Sequence, residues 1–131
     1  MCPLRSLVLW TLFCQVAIAQ NWQAGTAKVQ ITPDQPILMA GYGGRNVDAE
    51  GKLSELWAKT LVIDDSAANR AVLVTYDLVG IHRDTTNRIC ARLKEVHSLE
   101  RWQIAINCSH THTGPAVWQN LEPLHYLLAT P

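Results

Sequence analysis

The pattern of apolar and polar residues after residue 20 predicts three strands in the first half of the chain. Residues 24–31 alternate small or polar side chains with β-branched apolar ones, which is typical of a half-buried strand at the edge of a sheet. Residues 56–63 predict a second strand, and a polar turn over residues 64–70 leads into a third over residues 71–78. The third strand is apolar on both faces, so we expect it to be covered on both sides.

The apolar spacing changes to a helical period after the third strand. Residues 84–98 place apolar side chains at i, i+4 and i+7, which predicts an amphipathic helix with Asp84 or Thr85 as its N-cap. A further apolar run predicts a strand over residues 102–108. The third strand, this helix and this strand form a βαβ unit with two parallel strands, so we expect an α/β fold with a mixed sheet.

A long loop over residues 33–55 separates the first two strands. It is rich in glycine and poor in apolar residues, and loops of this length are often functional or mobile. Within it, the glycines of residues 39–45 would let backbone amides approach a ligand, and Arg45 could bind an anion. The spacing does not match a phosphate-binding loop, because no Gly-Lys-Ser/Thr follows. The segment is therefore either the wall of a site or a plain flexible loop.

The first 19 residues predict a secretory signal peptide. A short n-region carries one positive charge, residues 7–18 are apolar but too short to span a bilayer, and residues 17–19 form an Ala-x-Ala cleavage site. We expect cleavage between Ala19 and Gln20 and a mature chain of residues 20–131 that is secreted or periplasmic. An uncleaved anchor is the alternative.

Charge and cysteine content narrow the function classes. Lys plus Arg and Asp plus Glu both number 11, so the chain has no basic surface of the kind that binds nucleic acid.

Two of the 4 cysteines, Cys2 and Cys14, lie in the predicted signal peptide. Cys90 and Cys108 remain, and an oxidising compartment could join them. Because no dense cysteine framework is present, we expect two buried free thiols.

Candidate chemistry lies directly after the last predicted strand, in residues 109–115 with the sequence SHTHTGP. His110 and His112 are two residues apart, so the alternation of side chains in extended backbone can bring both rings to one side, where they could hold one metal ion. Gly114 and Pro115 would end the strand and leave the rings at an open edge. A surface turn with two partly exposed histidines is the alternative.

Other polar residues are expected at the same edge of the sheet. The carboxyl ends of parallel strands meet at one edge, where ligands bind in α/β sheets, and Asp77 and His82 follow the third strand there. Asp77 is expected either to orient a metal-binding histidine through a hydrogen bond or to cap a loop. His82 and His97 are expected at the surface or in packing, and His125 has no informative context.

The two histidines are fewer ligands than a catalytic zinc site uses, which is usually about three from the protein plus an open position. The chain ends at Pro131, so we expect it to be the front part of a longer protein. The motif does not continue as His-x-His-x-Asp-His, which disfavours a metallo-β-lactamase-type site. An amidohydrolase site is less favoured but remains an alternative, because it places His-x-His on the first strand of a barrel and at least two predicted strands precede the motif here.

Five segments of the chain resemble, in order, the start of the catalytic domain of neutral/alkaline non-lysosomal ceramidases. They are residues 24–33, 39–43, 56–63, 74–78 and 109–115, and the last is the most specific. The resemblance implies the N-terminal portion of an α/β domain that uses one zinc ion to cleave the amide bond of ceramide or a related lipid amide. By resemblance, His110 is a zinc ligand and His112 is an active-site histidine near the metal.

The same resemblance implies that the remaining ligands, a histidine, a glutamate and a tyrosine, lie beyond residue 131. The full-length protein is then expected to be a secreted hydrolase with a zinc-activated water, in contact with a lipid-amide substrate and with the surface of a membrane. We expect no turnover by the 131-residue chain itself. The alternative is a secreted, non-catalytic α/β domain that binds a metal or another ligand.

Overall fold

Four strands and one helix follow one another in the computed structural model, which describes residues 21–43, 45–65, 67, 69–117 and 120. The elements are β1 (Gln23–Gln30), β2 (Trp57–Asp64), β3 (Arg70–Tyr76), α1 (Arg83–His97) and β4 (Ile104–Cys108). The predicted signal peptide and His125 lie outside these residues. Among the described residues, no helix has the length and apolar character that a membrane crossing requires.

The strands form one mixed sheet in the order β1-β2-β3-β4. β1 pairs with β2 and β2 pairs with β3 in antiparallel fashion, while β3 and β4 are parallel, in register from Val72 opposite Ile104 to Tyr76 opposite Cys108. The predicted α/β fold with a βαβ unit is therefore confirmed, and so is the edge position of β1 within the described sheet. Parallel pairing brings the carboxyl ends of β3 and β4 to the same edge.

The core lies between α1 and one face of the sheet. Val72 and Val74 of β3 and Ile104 of β4 are at most 7% exposed, and they form one cluster with Cys90 of α1. Leu73, which points to the opposite face, is 40% exposed. The expectation that the third strand is covered on both sides is therefore wrong for the described part of the chain, where β3 alternates between a covered and an open face.

The fourth strand begins two residues later than predicted, at Ile104 instead of Trp102. Trp102 belongs to a short 3-10 helix, Arg101–Gln103, which precedes the strand. A capping box stabilises this helix, because the side chains of Glu100 and Gln103 each accept a hydrogen bond from the backbone N–H of the other residue. These local hydrogen bonds, rather than the apolar pattern, decide where the strand starts.

The N-cap of helix α1 is neither of the two predicted residues, whereas its C-cap is the residue at which the helix was predicted to end. The N-cap is His82, whose Nδ1 accepts a hydrogen bond from the N–H of Asp84 at 3.2 Å, so neither Asp84 nor Thr85 has that role. The C-cap is Ser98, with a φ of 55° and its N–H directed at the carbonyls of Leu93 and Lys94. The helix thus begins directly after the loop that follows β3.

Candidate active site

The histidine loop, defined here as residues 109–116, begins where β4 ends. Ser109 N–H donates to the carbonyl of Tyr76 at 2.9 Å, which continues the parallel pairing of β3 and β4. His110 then has a φ of 57°, a left-handed conformation that turns the chain out of the strand direction. The rings of His110 and His112 lie with centroids 5.1 Å apart and planes at 61°. A turn therefore brings the two rings together, and not the alternation of extended backbone that the sequence suggested.

The ring of His110 is fixed by a backbone carbonyl. Its Nδ1 lies 2.8 Å from the carbonyl oxygen of Val79, a buried residue in the loop after β3. A carbonyl can only accept, so Nδ1 carries the proton and, in the neutral ring, Nε2 keeps a free lone pair. Metal-binding histidines commonly donate one ring N–H to a carbonyl or carboxylate and ligate through the other nitrogen. The tautomer of His110 is therefore the one that suits ligation through Nε2.

The Asp77 side chain lies at a loop cap, which was one of its two expected positions. Its Oδ2 accepts from the N–H of Trp57 at 3.0 Å and from Nζ of Lys59 at 3.4 Å, so it ties the end of β3 to the start of β2. In the other position Asp77 would have accepted a hydrogen bond from His110, but Nδ1–H of His110 donates to the carbonyl of Val79 instead. A backbone oxygen thus does what the sequence suggested for a carboxylate.

The structure brings together two of the candidate residues and separates the others. His110 and His112 are neighbours, while His82 caps α1 and His97 lies exposed in the last turn of that helix. Within the described part of the chain, no group of three or more histidine, cysteine, aspartate or glutamate side chains is placed to hold a metal ion. His110 and His112 therefore form an incomplete donor set among the described residues.

The ring of His112 packs against a second loop, residues 38–43 and 45, called the glycine loop here. Gly41 has a φ of 77°, and a Cβ added to it would lie 2.7 Å from both Cβ and Nδ1 of His112. The Tyr42 ring meets the His112 ring edge-on, with centroids 5.0 Å apart and planes at 85°. Gly41 leaves room for the imidazole, so this loop packs against His112, as the alternative of a site wall requires.

The glycine loop and the histidine loop are joined by backbone hydrogen bonds and by one arginine. Ala40 N–H donates to the carbonyl of Gly114 at 2.9 Å, beside an antiparallel bridge between Met39 and Pro115. Nη1 of Arg45 donates to the carbonyl of Ala40 at 2.9 Å and to that of His112 at 2.5 Å. The sequence suggested that Arg45 could bind an anion, but its Nη1 group donates to two backbone carbonyls of the protein instead.

Sequence reasoning missed two contributors to this geometry. The carbonyl of Val79 has no sequence signature, because every residue carries one. Arg45 was noted only as an anion ligand, and its contact with His112 spans 67 residues of sequence. The one available signal was a glycine run followed by an arginine, which indicates a tight loop with a charged donor but not the loop's partner.

Two weakly acidic groups lie side by side at the carboxyl end of the parallel pair, where Tyr76 is paired with Cys108. Burial raises the pKa of the Cys108 thiol, and burial, followed by the nearby Cys108 and Cys90, raises the pKa of the Tyr76 hydroxyl. Both groups are therefore neutral at pH 7 in the metal-free chain. Cys90 and Cys108 are free thiols, as expected, but of the two only Cys90 is buried, while Cys108 is half-buried.

Residues 22–128 match the family model of the neutral/alkaline non-lysosomal ceramidases, N-terminal domain. The chain belongs to this ceramidase family. It is 26% identical to a neutral ceramidase from Drosophila pseudoobscura pseudoobscura over 115 residues, which are 84% of this chain and 16% of the relative. It is 25% identical to a neutral ceramidase from Drosophila melanogaster over 103 residues, which are 75% of this chain and 14% of the relative.

Two solved ceramidases also resemble the fold of this ceramidase-family chain. A ceramidase complexed with C2 matches with a TM-score of 0.65 and 29% identity, over 72% of this chain and 15% of that chain. The neutral ceramidase from Pseudomonas aeruginosa matches with a TM-score of 0.66 and 27% identity, over 72% of this chain and 16% of that chain. The chain thus spans about one sixth of the length of these ceramidases. The region that the family model matches, residues 22–128, contains both the glycine loop and the histidine loop.

Proposed function

We propose that this chain supplies the first part of a zinc-dependent ceramidase site, in which His110 is a metal ligand and His112 is an active-site base or hydrogen-bond donor. The substrate class is ceramide or a related lipid amide, whose amide bond is hydrolysed. Family membership supports the substrate class. The observation that carries the role of His110 is its Nδ1 contact with the Val79 carbonyl, at 2.8 Å, which leaves Nε2 for a metal.

The donors present are of the right kind for zinc. Neutral imidazole nitrogen is a common zinc ligand, and a catalytic zinc site combines about three protein ligands with an open position. Among the described residues the histidine loop provides two imidazoles and no larger cluster. The proposal therefore requires further ligands from outside the described residues, in agreement with the small share of the known ceramidases that this chain spans.

The two histidines have different surroundings, which support different roles. The His110 ring is held through Nδ1 by a fixed backbone oxygen, as suits a ligand. The His112 ring is held by ring contacts, edge-on to both Tyr42 and His110. When bound, zinc would polarise the amide carbonyl and make hydroxide available near neutral pH. His112 would then donate a hydrogen bond to the substrate oxygen or carry a proton.

The proposal includes a place of action. A ceramide-like substrate is largely apolar and resides in membranes, so the enzyme would work at a membrane surface from the extracytoplasmic side. The predicted signal peptide of residues 1–19 supports this placement. The charge balance of 11 basic and 11 acidic residues argues against an additional nucleic-acid partner.

Zinc binding tests the role of His110. The longest chain that the reading frame encodes is purified, equilibrated with Zn²⁺, and analysed for bound metal and for hydrolysis of a fluorescent ceramide. His110→Ala is expected to lower zinc affinity at least ~10-fold, since even groups that only support a ligand contribute about 10–100-fold. His97→Ala, exposed at the end of α1, is the matched control and should leave binding unchanged.

Three results are informative. Zinc and hydrolysis that both survive His110→Ala would overturn the proposal. Zinc binding that needs His110, without ceramide hydrolysis by the longest chain, would favour the non-catalytic metal-binding domain instead. Hydrolysis that is lost in His112→Ala while zinc remains would support the division of roles between the two rings.

A further inference from the structure

We infer that Arg45 is a positioning residue: its guanidinium ties the glycine loop to the histidine loop and thereby fixes the ring of His112 beside that of His110. The inference starts from the two hydrogen bonds of Nη1, one to the carbonyl of Ala40 within its own loop and one to the carbonyl of His112. A single planar group thus sets the distance between the backbones of two loops.

The carbonyl of His112 lies where the histidine loop has left the sheet. Regular pairing of β4 ends at Cys108, and His110 already has a left-handed backbone conformation. The strand ladder therefore does not determine the orientation of the peptide after His112. The charged donor of Arg45 reaches this peptide from residue 45, and hydrogen bonds from charged donors are stronger than those from neutral ones.

The Arg45 side chain also supports the surface on which the His112 ring rests. Its guanidinium lies 4.8 Å from the centroid of the Tyr42 ring, and that ring meets the His112 ring edge-on. Tyr42 has a φ of 52°, next to Gly41 at 77°, so the glycine loop makes a sharp left-handed turn at this point. One arginine therefore stabilises both the turn that offers the surface and the peptide that carries the imidazole.

This geometry gives Arg45 a specific consequence. Without the guanidinium, the histidine loop keeps its backbone bond from Ala40 to Gly114, and His110 keeps its bond to Val79. The expected change is therefore local: the His112 ring moves, while the His110 ring and the sheet stay in place. The effect of Arg45 on catalysis rests on the proposed function: if His110 holds a metal, a mobile His112 ring would contact the metal or the substrate less well.

Nuclear Overhauser effects (NOEs) in the metal-free protein test the inference. The full chain is labelled with ¹³C in the histidine rings, and NOEs are measured from the His112 ring protons to the Hα of Gly41 and the ring of Tyr42. Arg45→Met is expected to weaken these NOEs at least threefold while the Nδ1–H signal of His110 is retained. Arg92→Met is the matched control, because Arg92 is an exposed arginine on α1 whose guanidinium pairs with Glu95 and not with either loop.

The outcome that overturns the inference is a folded Arg45→Met protein with wild-type NOEs at His112. If that variant does not fold, Arg45→Lys decides, because it keeps the charge but not the planar fork. Wild-type NOEs in Arg45→Lys would then overturn the inference, and weakened NOEs would support it. Zn²⁺ added to the longest chain that the reading frame encodes separates the two proposals: if neither histidine signal responds in that chain, the proposed function fails while the NOE comparison keeps its meaning.

Discussion

The two ends of the parallel strand pair are held in different ways. At the amino end, the turn before β3 is held by local contacts, because the Asp65 carboxylate accepts from the N–H of Ala67 and Asn69 and from the Asn69 amide, all within four residues. One longer contact, from the Gln103 side chain to the carbonyl of Arg70, joins the starts of β4 and β3. At the carboxyl end, the two decisive contacts span 31 residues from His110 to Val79 and 67 residues from Arg45 to His112.

Backbone conformation also differs between the ends. Gly41, Tyr42 and His110 have positive φ in the two loops at the carboxyl end, whereas on the amino-end side the residue described with positive φ is Ser98, the C-cap of α1. Such conformations cost about 1–3 kcal/mol for a residue with a side chain, and they persist where surrounding contacts hold them, often at functional sites. The comparison teaches that the amino end is held mainly by local turns and caps, whereas the carboxyl end depends on contacts between distant loops that also hold the histidines.

The largest effect is expected from Gly41→Ala at the carboxyl end. The new methyl group would lie 2.7 Å from two His112 atoms in a left-handed backbone conformation, so either the ring or the loop must move. We expect a loss of about 1–3 kcal/mol in the free energy of unfolding, from backbone strain together with the displaced ring. Urea unfolding followed by circular dichroism measures it.

Gly51→Ala is the matched control for this substitution. A Cβ added to Gly51 would have nothing within 4 Å, and the residue is exposed. Its effect should stay within ~0.5 kcal/mol, as for ordinary surface substitutions. Equal unfolding curves for the two variants would mean that the glycine loop does not pack on His112, and the contrast between the two ends would be lost.

The same contrast explains what could be read from the sequence. Strand and helix periods are local, so each of the five elements was located to within about two residues. The errors lie at element ends that side chains decide: His82 is the N-cap of α1, and Trp102 lies in the capped 3-10 helix before β4. The apolar pattern also could not show that the face of the described sheet that carries Leu73 is exposed.

The candidate site was predictable only in its local part. The spacing of His110 and His112 pointed to a shared side, and the resemblance supplied a metal role. The carbonyl of Val79 and the donor of Arg45 could not be found in this way, because a backbone oxygen has no signature and the arginine acts across 67 residues. Sequence patterns describe neighbouring residues, so they do not predict hydrogen bonds between residues of two distant loops.

A smaller effect is expected from Gln103→Ala at the amino end. The Gln103 side chain accepts from the N–H of Glu100 at 2.8 Å and donates to the carbonyl of Arg70 at 2.9 Å, so it fastens the start of β4 to the start of β3. We expect a loss of about 0.5–1.5 kcal/mol in unfolding free energy, the range for one net hydrogen bond, since water can replace part of both contacts. Denaturant unfolding measures it.

The Gln103→Ala protein also sharpens the comparison. Because the substitution lies at the amino end of the sheet, the NOEs between the His112 ring and Gly41 should keep their wild-type intensities. A change at His112 without a loss of stability would show that the two ends are coupled, contrary to the view that each is held by its own contacts.

The smallest effect at neutral pH, and the most pH-dependent, is expected from Asp65→Asn. The amide of Asn69, followed by the N–H of Ala67, lowers the pKa of the Asp65 carboxyl below its ordinary value. A carboxyl whose pKa is lower in the folded state stabilises the fold above its unfolded pKa, and this stabilisation is lost as the pH falls through the folded pKa. Asparagine keeps one acceptor oxygen, so part of the turn survives at pH 7.

The expected result is a stability difference between wild type and Asp65→Asn that narrows as the pH falls from 6 to below about 4, where carboxyl groups take up protons. Thermal unfolding across this range measures it. Glu55→Gln is the control for acid effects elsewhere, because the pKa of Glu55 is also lowered, mainly by Lys52, at a site outside this turn. If the difference between Asp65→Asn and wild type stays constant with pH, the carboxylate charge is not what holds the amino-end turn, and the turn depends on backbone conformation alone.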